Sequence, residues 1–393
     1  MRVALLTYST RPRGGVVHTL ALAEALVDLG ATVDVWTLAR GGDGGFFRPV
    51  DPRVGVRAVP FPEIADEPVG DRIVRSIAVL ADALRAHTFG TGGTAPASDA
   101  AGYDAVHAQD CISANAVLDA AGPDGPASPA GCIRTIHHLD TFTTPQLAAC
   151  HERAVVAPGA HVCVSAAVAA EVESGWGIRP HVIPNGVDAA RFAAAADDRT
   201  ARRAWADELG RYVLAVGGIE PRKGTADLVE AMALIRAARQ NTSDLNLVIA
   251  GGETLFDYRD YRAEVFATAA RLGVTPRLLG PVDHELLPSL VAQAEVFAFP
   301  STKEGFGLAA LEALAAGVPV VARDLPVLRE VLGPTVRYAA TPADLADALL
   351  TAAGRRDPAL AAAGRTLAAR YTWAAATRAH LALYHHLAAS EPG

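Results

Sequence analysis

The sequence predicts an α/β protein made of two doubly wound domains. Short apolar runs alternate with helical stretches through the first half, and the alternation restarts at Tyr212. Between the halves lies 183–192, IPNGVDAARF, rich in turn residues. Alternation of this kind implies a mostly parallel sheet covered on both faces. At 393 residues the chain has room for two domains of ordinary size.

In the first half, Val3–Tyr8 is a β run, Val16–Leu29 a helix stopped by Gly30, and Thr32–Thr37 the next strand. Further strands are expected at 104–108, 132–136 and 161–165, with helices near 112–120, 145–156 and 166–174. Residues 88–102 and 121–130 read as Gly/Ala-rich loops, too short to link domains. In the second half, YVLAVGG is a strand, Thr225–Ala237 a helix, LNLVIAG a strand and Tyr258–Leu272 a helix. PRLLG, the helix Glu285–Ala294 and a strand–turn–helix–strand unit over 296–322 follow. The tail from about 342 reads as three helical segments, with Thr372 as a candidate N-cap of the last. Leu381, Tyr384 and Leu387 recur at helical spacing on that last segment. Ligands of wound sheets bind at the carboxyl ends of the strands, so two sheets facing each other would place the ligand in the cleft between them.

Composition narrows the function. The chain is 51% hydrophobic and 20% charged, with formal net charge −8 and a pI of about 5.8. That leaves no basic field for a nucleic-acid backbone. Four scattered cysteines without C-x-x-C read as reduced thiols of a cytoplasmic protein. MRVALLTYST continues as a strand and is too short for a signal core. No apolar run suits a membrane span, which leaves peripheral membrane contact open.

The most telling stretch is 296–322, VFAFPSTKEGFGLAALEALAAGVPVVA. VFAF ends at Pro300, and Leu308–Ala316 is an Ala/Leu helix closed by Gly317. Glu304, Gly305, Phe306 and Gly307 occupy the turn that opens this helix. Its first-turn N–H groups form an anion site, and the glycines let a ligand approach the backbone. Glu304 and Glu312 flank those donors as acceptors, which suits phosphate plus sugar hydroxyls, that is, a nucleotide sugar. An ordinary αβ unit with two surface glutamates is the rival reading.

This stretch resembles the E-x7-E signature of retaining GT-B glycosyltransferases, family 4 in particular. The resemblance implies two Rossmann-like domains facing across a cleft, with a C-terminal helix crossing back to the first. Residues 1–184 plus 372–390 would form the acceptor domain, and 185–371 the nucleotide-sugar donor domain. In RYVLAVGGIEPRKG, the cations Arg222 and Lys223 stand at a strand's carboxyl end, where they can neutralise a diphosphate. Relatives carry G-R-x-x-x-x-K-G here; Lys223 carries over, Gly218 stands where their Arg would be, and Arg222 is a candidate replacement.

The segment STRPRGGVVH joins the first strand to the first helix, and Gly14-Gly15 can bring N–H groups to an anion. It is not G-x-G-x-x-G, and no acid follows the second strand, which argues against a dinucleotide. It resembles the glycine-rich first loop of GT-B enzymes. CIRTI runs into His137-His138-Leu139-Asp140. Paired histidines suggest a metal, but neither they nor Cys150-His151 show a metal-ligand spacing. In relatives T-x-H-D lies here and its His reaches the donor sugar; His137 fits that role, while His138 replaces the usual acid. VCVSAAVAAEV and VIPNGVDAARF also resemble the family, with Ser165 opening a helix and Asn185-Gly186 shaping the interdomain turn.

The resemblance implies a metal-independent, cofactor-free glycosyltransferase using a nucleotide-diphosphate sugar and a hydroxyl-type acceptor. His137 and Glu304 would act at the sugar and Glu312 at the ribose. Arg222, Lys223 and the amides of Phe306–Leu308 would serve the diphosphate. The base is expected near Gly280–Leu287. A nucleotide-sugar epimerase or a catalytically silent nucleotide-sugar binder on the same fold are the rivals; a phosphorylase would need a pyridoxal lysine motif that is not apparent.

Overall fold

The structure, a computed structural model, describes residues 1–40, 42, 44–89, 102–122, 131–142, 144–238, 244–252, 258–354 and 357–389. The loops expected at 88–102 and 121–130 lie, apart from their ends, outside the described residues. The chain divides into two compact units, Met1–Gly186 with Trp373–Gly393, and Val187–Thr372.

The first unit runs β1 (Arg2–Leu6), α1 (Gly14–Asp28), β2 (Thr32–Arg40), β3 (Gly55–Phe61), α2 (Val69–Phe89), β4 (Ala105–Ala108) and α3 (Cys111–Ala121). It continues with β5 (Cys132–Ile136), α4 (Pro145–Val156), β6 (Ala160–Cys163), α5 (Ala166–Trp176) and β7 (His181–Val182). The second unit contains α6 (Ala189–Asp197), α7 (Arg199–Leu209), β8 (Arg211–Val216), α8 (Thr225–Ala237), β9 (Leu245–Ala250), α9 (Arg259–Arg271) and β10 (Arg277–Gly280). Then come α10 (Leu287–Gln293), β11 (Val296–Phe299), α11 (Leu308–Ala315), β12 (Val320–Arg323), α12 (Pro326–Leu332), β13 (Arg337–Ala339), α13 (Pro342–Gly354) and α14 (Pro358–Ala368). The closing helix α15 (Trp373–Ala389) belongs to the first unit.

Among the described residues the first unit's strands form one sheet in the order β3-β2-β1-β4-β5-β6-β7, parallel at each pairing. Alternation along β1 explains both layers. Val3 and Leu5 face α1 (Leu20, Ala23) and α15 (Leu383, Tyr384). Ala4 and Leu6 face α2 (Leu80, Leu84) and α3 (Ala116, Val117). The second unit's sheet has the order β10-β9-β8-β11-β12-β13, again parallel. Each order reverses direction at one point, between β1 and β4 and between β8 and β11. In such sheets, ligand loops gather outside the carboxyl ends at that point.

Three expectations need correction. The turn-rich stretch 183–192 is helical from Ala189, because Asp188 accepts a hydrogen bond from the Arg191 N–H (3.2 Å) and caps α6. β3, β7, β13, α2, α7 and α12 were not anticipated. The stripe on α15 is also wider than Leu381, Tyr384 and Leu387. Tyr384 is fully buried and the other two are partly buried on the same core, but Ala376, Thr377, His380 and Leu383 are buried with it. Of the polar members of this face, Tyr384 finds a partner in the sheet, its hydroxyl 2.7 Å from His107 Nδ1, and His380 Nδ1 lies 2.8 Å from the Ala376 carbonyl of its own helix.

Candidate active site

The site in the second unit grows from its switch point. β8 ends at Val216, and the chain turns through Gly217-Gly218 into a single 3-10 turn, Pro221–Lys223. β11 ends at Phe299, and residues 300–307 lead into α11. The two loops are stitched together: the Arg222 carbonyl accepts from the Thr302 N–H (2.8 Å) and hydroxyl (3.3 Å). Gly224 has φ +65°, and a Cβ there would sit 2.2 Å from the Pro300 carbonyl oxygen. Only glycine permits that approach.

The stitching brings Lys223, Arg222 and Glu304 together. Lys223 Nζ lies 2.6 Å from Glu304 Oε1, and Arg222 Nη1 3.6 Å from the same oxygen. Arg222 Nε also contacts Glu220 (3.0 Å). Burial alone would raise the Glu304 pKa, but the charges of Lys223 and Arg222 outweigh it and hold it down at about 2. Glu304 is a fixed anion held between two cations.

Beside it, α11 opens from Gly307, at φ +98° and with no side-chain cap. The N–H groups at this helix start lack intrahelical acceptors and carry the positive end of its dipole. Gly305, Phe306 and Gly307 are buried there, and Leu308 is half-buried. The Phe306 side chain does not face a ligand: its ring packs edge-on against Tyr371, centroids 5.2 Å apart. Its contribution to the site is its backbone.

Glu312 lies apart from this cluster. Its half-buried carboxylate has no hydrogen-bond or ion-pair partner among the described residues. Burial pushes its pKa up to about 7, with Arg191 opposing and Asp188 adding to the rise. Arg191 is tethered to the His284 carbonyl, and His284 falls in the stretch expected to hold the base. Sequence reasoning missed Arg191 and Asp188; the N-cap pattern Asp188-x-x-Arg191 was the available signal.

In the first unit, Gly15 and His137 come together. A Cβ on Gly15 would lie 3.6 Å from the His137 ring, so the glycine loop rests against the imidazole. Gly14 has no neighbour within 4 Å of its Cβ direction. Gln109 Oε1 is 3.3 Å from His137 Nε2. His138 is turned to Asp140, Nε2 to Oδ2 2.8 Å, so the acid absent from its usual position is met two residues later.

Behind His137 lies a chain of rings not foreseen from sequence. His18 meets His137 edge-on (4.9 Å), Trp373 (5.4 Å) and His380 (6.0 Å). His380 meets His107 (5.6 Å), whose Nε2 lies 2.6 Å from the Thr135 hydroxyl. Burial holds these imidazoles neutral: His18 falls to about 3 and His380 to about 4, while His107 and His137 lie well below the ordinary value. In each, desolvation is the main cause; for all but His380, neighbouring imidazoles add to it.

Among the described residues, no group of three or more His, Cys, Asp or Glu is placed to hold a metal ion, and no helix is long and apolar enough to cross a membrane. The four cysteines are free thiols, three of them buried.

The doubly wound topology has counterparts in known proteins. Residues 12–191 match the family described as Glycosyltransferase Family 4, and residues 197–353 match Glycosyl transferases group 1. The chain is 30% identical over 422 residues to a D-inositol 3-phosphate glycosyltransferase of Xylanimonas cellulosilytica, covering 98% of this chain and 96% of that one. It is 29% identical to an MMP α-(1→4)-mannosyltransferase of Mycolicibacterium hassiacum, over 90% and 89% of the two chains. Among solved structures, Anabaena HepE in complex with UDP and glucose superposes with a TM-score of 0.70 at 18% identity, covering 97% and 98%. Sucrose-phosphate synthase from Thermosynechococcus elongatus gives 0.75 at 22%, covering 99% and 100%. The fold is therefore that of the GT-B glycosyltransferases. Within that class the chain belongs to glycosyltransferase family 4, and it is a transferase of glycosyl groups.

Proposed function

We propose that this glycosyltransferase moves a sugar, with retention of anomeric configuration and without a metal, from a nucleoside-diphosphate sugar to a hydroxyl of its acceptor. The observation that carries the reading is the meeting of Lys223 and Glu304 (2.6 Å) beside the uncapped start of α11 at the β8/β11 switch point. Charge develops on the β-phosphate as the glycosidic bond breaks. Lys223, Arg222 and the amides of Phe306–Leu308 would stabilise it, and preorganised donors of this kind are the dominant catalytic term in many enzymes. Cations where other enzymes place metal-binding acids support a metal-free step. Glu304 would hold hydroxyls of the donor sugar, Glu312 the ribose diol, and His137 a hydroxyl of the transferred sugar. The second unit would be the donor domain and the first the acceptor domain. Neutral at physiological pH, His137 can donate one hydrogen bond and accept another without adding charge.

The test is titration of UDP, GDP and ADP into the wild type and Lys223→Met, followed by product analysis with the matching donor sugars. One nucleotide should bind, and Lys223→Met should weaken it about tenfold or more, as expected for a charge-assisted contact. Release of nucleoside diphosphate with sugar joined to an acceptor supports transfer. Conversion of donor alone into an isomeric nucleotide sugar would establish an epimerase instead.

A further inference from the structure

The first unit carries a pair of thiols that the transfer chemistry does not use. Cys111 is the first residue of α3, directly after its N-cap Asp110, and Cys150 lies midway along α4. The facing sides of the two helices meet at these residues. Asn115, one turn on from Cys111, donates from Nδ2 to the carbonyls of Cys111 and Cys150 (both 2.8 Å) and to Cys150 Sγ (3.5 Å). Its Oδ1 accepts from Arg153 Nη1 of α4 (3.1 Å), so the amide clamps one helix to the other. Cys111 in turn packs on the small cluster that holds Ala154, one turn on from Cys150. The thiols are hydrogen-bonded to each other, Cys150 donating to Cys111.

The pair is asymmetric. Cys111 is half-buried and Cys150 buried. Their shared hydrogen bond is the main cause of a lowered pKa at Cys111 and of a raised one at Cys150. Burial and the Asp110 carboxylate oppose the drop at Cys111, and the Arg134 guanidinium reinforces it. Arg134 is itself 6% exposed, gives Nη1 to the Thr135 carbonyl, and keeps a buried Nε without a partner. Cys111, Asp110, Cys132 and Cys150 are the groups that favour its charge. Of these, Asp110 is already engaged by the Ser113 N–H (2.8 Å), the Ser113 hydroxyl (2.9 Å) and the Tyr8 N–H (2.9 Å). A helix start beside a buried cation favours a thiolate, and the thiolate is the reactive form. Cys132 and Cys163 are the contrast: burial pushes each up to about 12.

We propose that Cys111 and Cys150 are a redox pair, closed by hydrogen peroxide into a reversible disulfide that ties the start of α3 to α4 and disturbs His137 beside it. The Cys111 thiolate attacks one peroxide oxygen, the O–O bond breaks, and the departing hydroxide takes a proton to leave as water. The product is a sulfenic acid on Cys111. The Cys150 sulfur then attacks the Cys111 sulfur, the S–O bond breaks, and the hydroxyl leaves as a second water with the Cys150 proton. Two thiols have lost two protons and two electrons, and one peroxide has become two waters. Closure brings the sulfurs to about 2.05 Å, far inside hydrogen-bond separation. Cys111 stands two residues after Gln109, whose Oε1 is 3.3 Å from His137 Nε2, so movement at the first residue of α3 is carried to the imidazole. Disulfide closure stands apart from the proposed transfer step, which decides only what a disturbed His137 would affect.

The test treats the folded, full-length chain with hydrogen peroxide and follows it by intact mass and peptide mapping under non-reducing conditions. The wild type should lose two hydrogen atoms, the Cys111 and Cys150 peptides should be joined, and dithiothreitol should reverse both changes. Cys150→Ser should stop at a sulfenic acid on Cys111 that dimedone traps, and Cys111→Ser should leave Cys150 unoxidised over the same time. Iodoacetamide should label Cys111 about tenfold or more faster than Cys132 and Cys163, following thiolate character and access. In ¹⁵N-histidine-labelled chain, the imidazole signal that disappears in His137→Gln should shift when the wild type is oxidised and stay put in oxidised Cys150→Ser. No loss of hydrogen, a bridge between other cysteines, or a sulfinic acid on Cys111 without a bridge would each overturn the proposal. So would a His137 signal that ignores closure. The wild-type map decides the bridge even where a variant fails to fold, and none of these readouts depends on donor or acceptor.

Discussion

Acidification below pH 6.5 should destabilise the first unit, because its core contains neutral histidines. His18 and His380 are 1% and 0% exposed, and their pKa values fall to about 3 and about 4. No carboxylate is among the groups acting on either. In the unfolded chain each titrates near 6.5. A depressed folded pKa means that the stabilisation is complete above pH 6.5 and is lost as pH falls from there toward 4 and then 3. Within that window the unfolded chain binds protons that the fold refuses, costing about 1.4 kcal/mol per pH unit for each histidine. At pH 5 the cost is about 2 kcal/mol each, or about 4 kcal/mol for the pair. His107 and His137 act in the same direction. Domains have only about 5–15 kcal/mol in all. The assay is urea unfolding from pH 7.5 to 5 in a Trp205→Phe background, where the remaining tryptophans, Trp36, Trp176 and Trp373, lie in the first unit. Free energy should fall steeply below pH 6.5, and His380→Leu should reduce the slope by about 1.4 kcal/mol per pH unit. A flat profile between 6.5 and 5, or an unchanged slope in the variant, would refute a neutral buried cluster.

Three further outcomes are expected. Glu312→Gln should weaken nucleoside diphosphate binding about tenfold or more. In the wild type that affinity should decline as pH drops below about 7, where the Glu312 carboxyl gains its proton, and calorimetry at pH 6, 7 and 8 would show whether it does. Transfer activity should survive EDTA; loss restored only by Mn²⁺ or Mg²⁺ would reject the metal-free step. Gly224→Ala should destabilise the second unit by about 1–3 kcal/mol, since it strains a left-handed residue and drives a Cβ into Pro300; an unchanged melting curve would contradict that geometry.

Much of the fold could be read from local pattern, and what escaped did so for physical reasons. β1, β5 and α8 are buried elements with clear punctuation, and their ranges follow the pattern closely. α2 was available as well: Ile73, Ser76, Leu80 and Leu84 are buried at helical spacing, but Ser76 interrupts the apolar stripe. The Arg222–Lys223–Glu304 meeting could be anticipated because both loops follow strands at a sheet's carboxyl edge. The histidine chain could not. His18, His107 and His380 lie on three elements, His137 follows a fourth, and they share no spacing, so only the packing of α15 on the sheet unites them.

Spacing alone treats Glu304 and Glu312 as equivalent acceptors, and electrostatics separates them. Glu304 is held ionised by Lys223 and Arg222, so before any ligand arrives it occupies the cations proposed for the diphosphate. A diphosphate entering there would compete for Lys223 and free Glu304 to turn toward sugar hydroxyls; the pair is then a preformed anion site whose own carboxylate is the placeholder. Glu312 has no such partner and sits near its titration point at neutral pH. Accepting hydrogen bonds from a diol favours its charged form, so binding should expel a proton. The two glutamates would therefore respond to the same ligand in opposite ways: one gives up its cation, the other gives up its proton. Calorimetry in buffers of different ionisation enthalpy separates them, because proton release should disappear in Glu312→Gln and persist in Glu304→Gln.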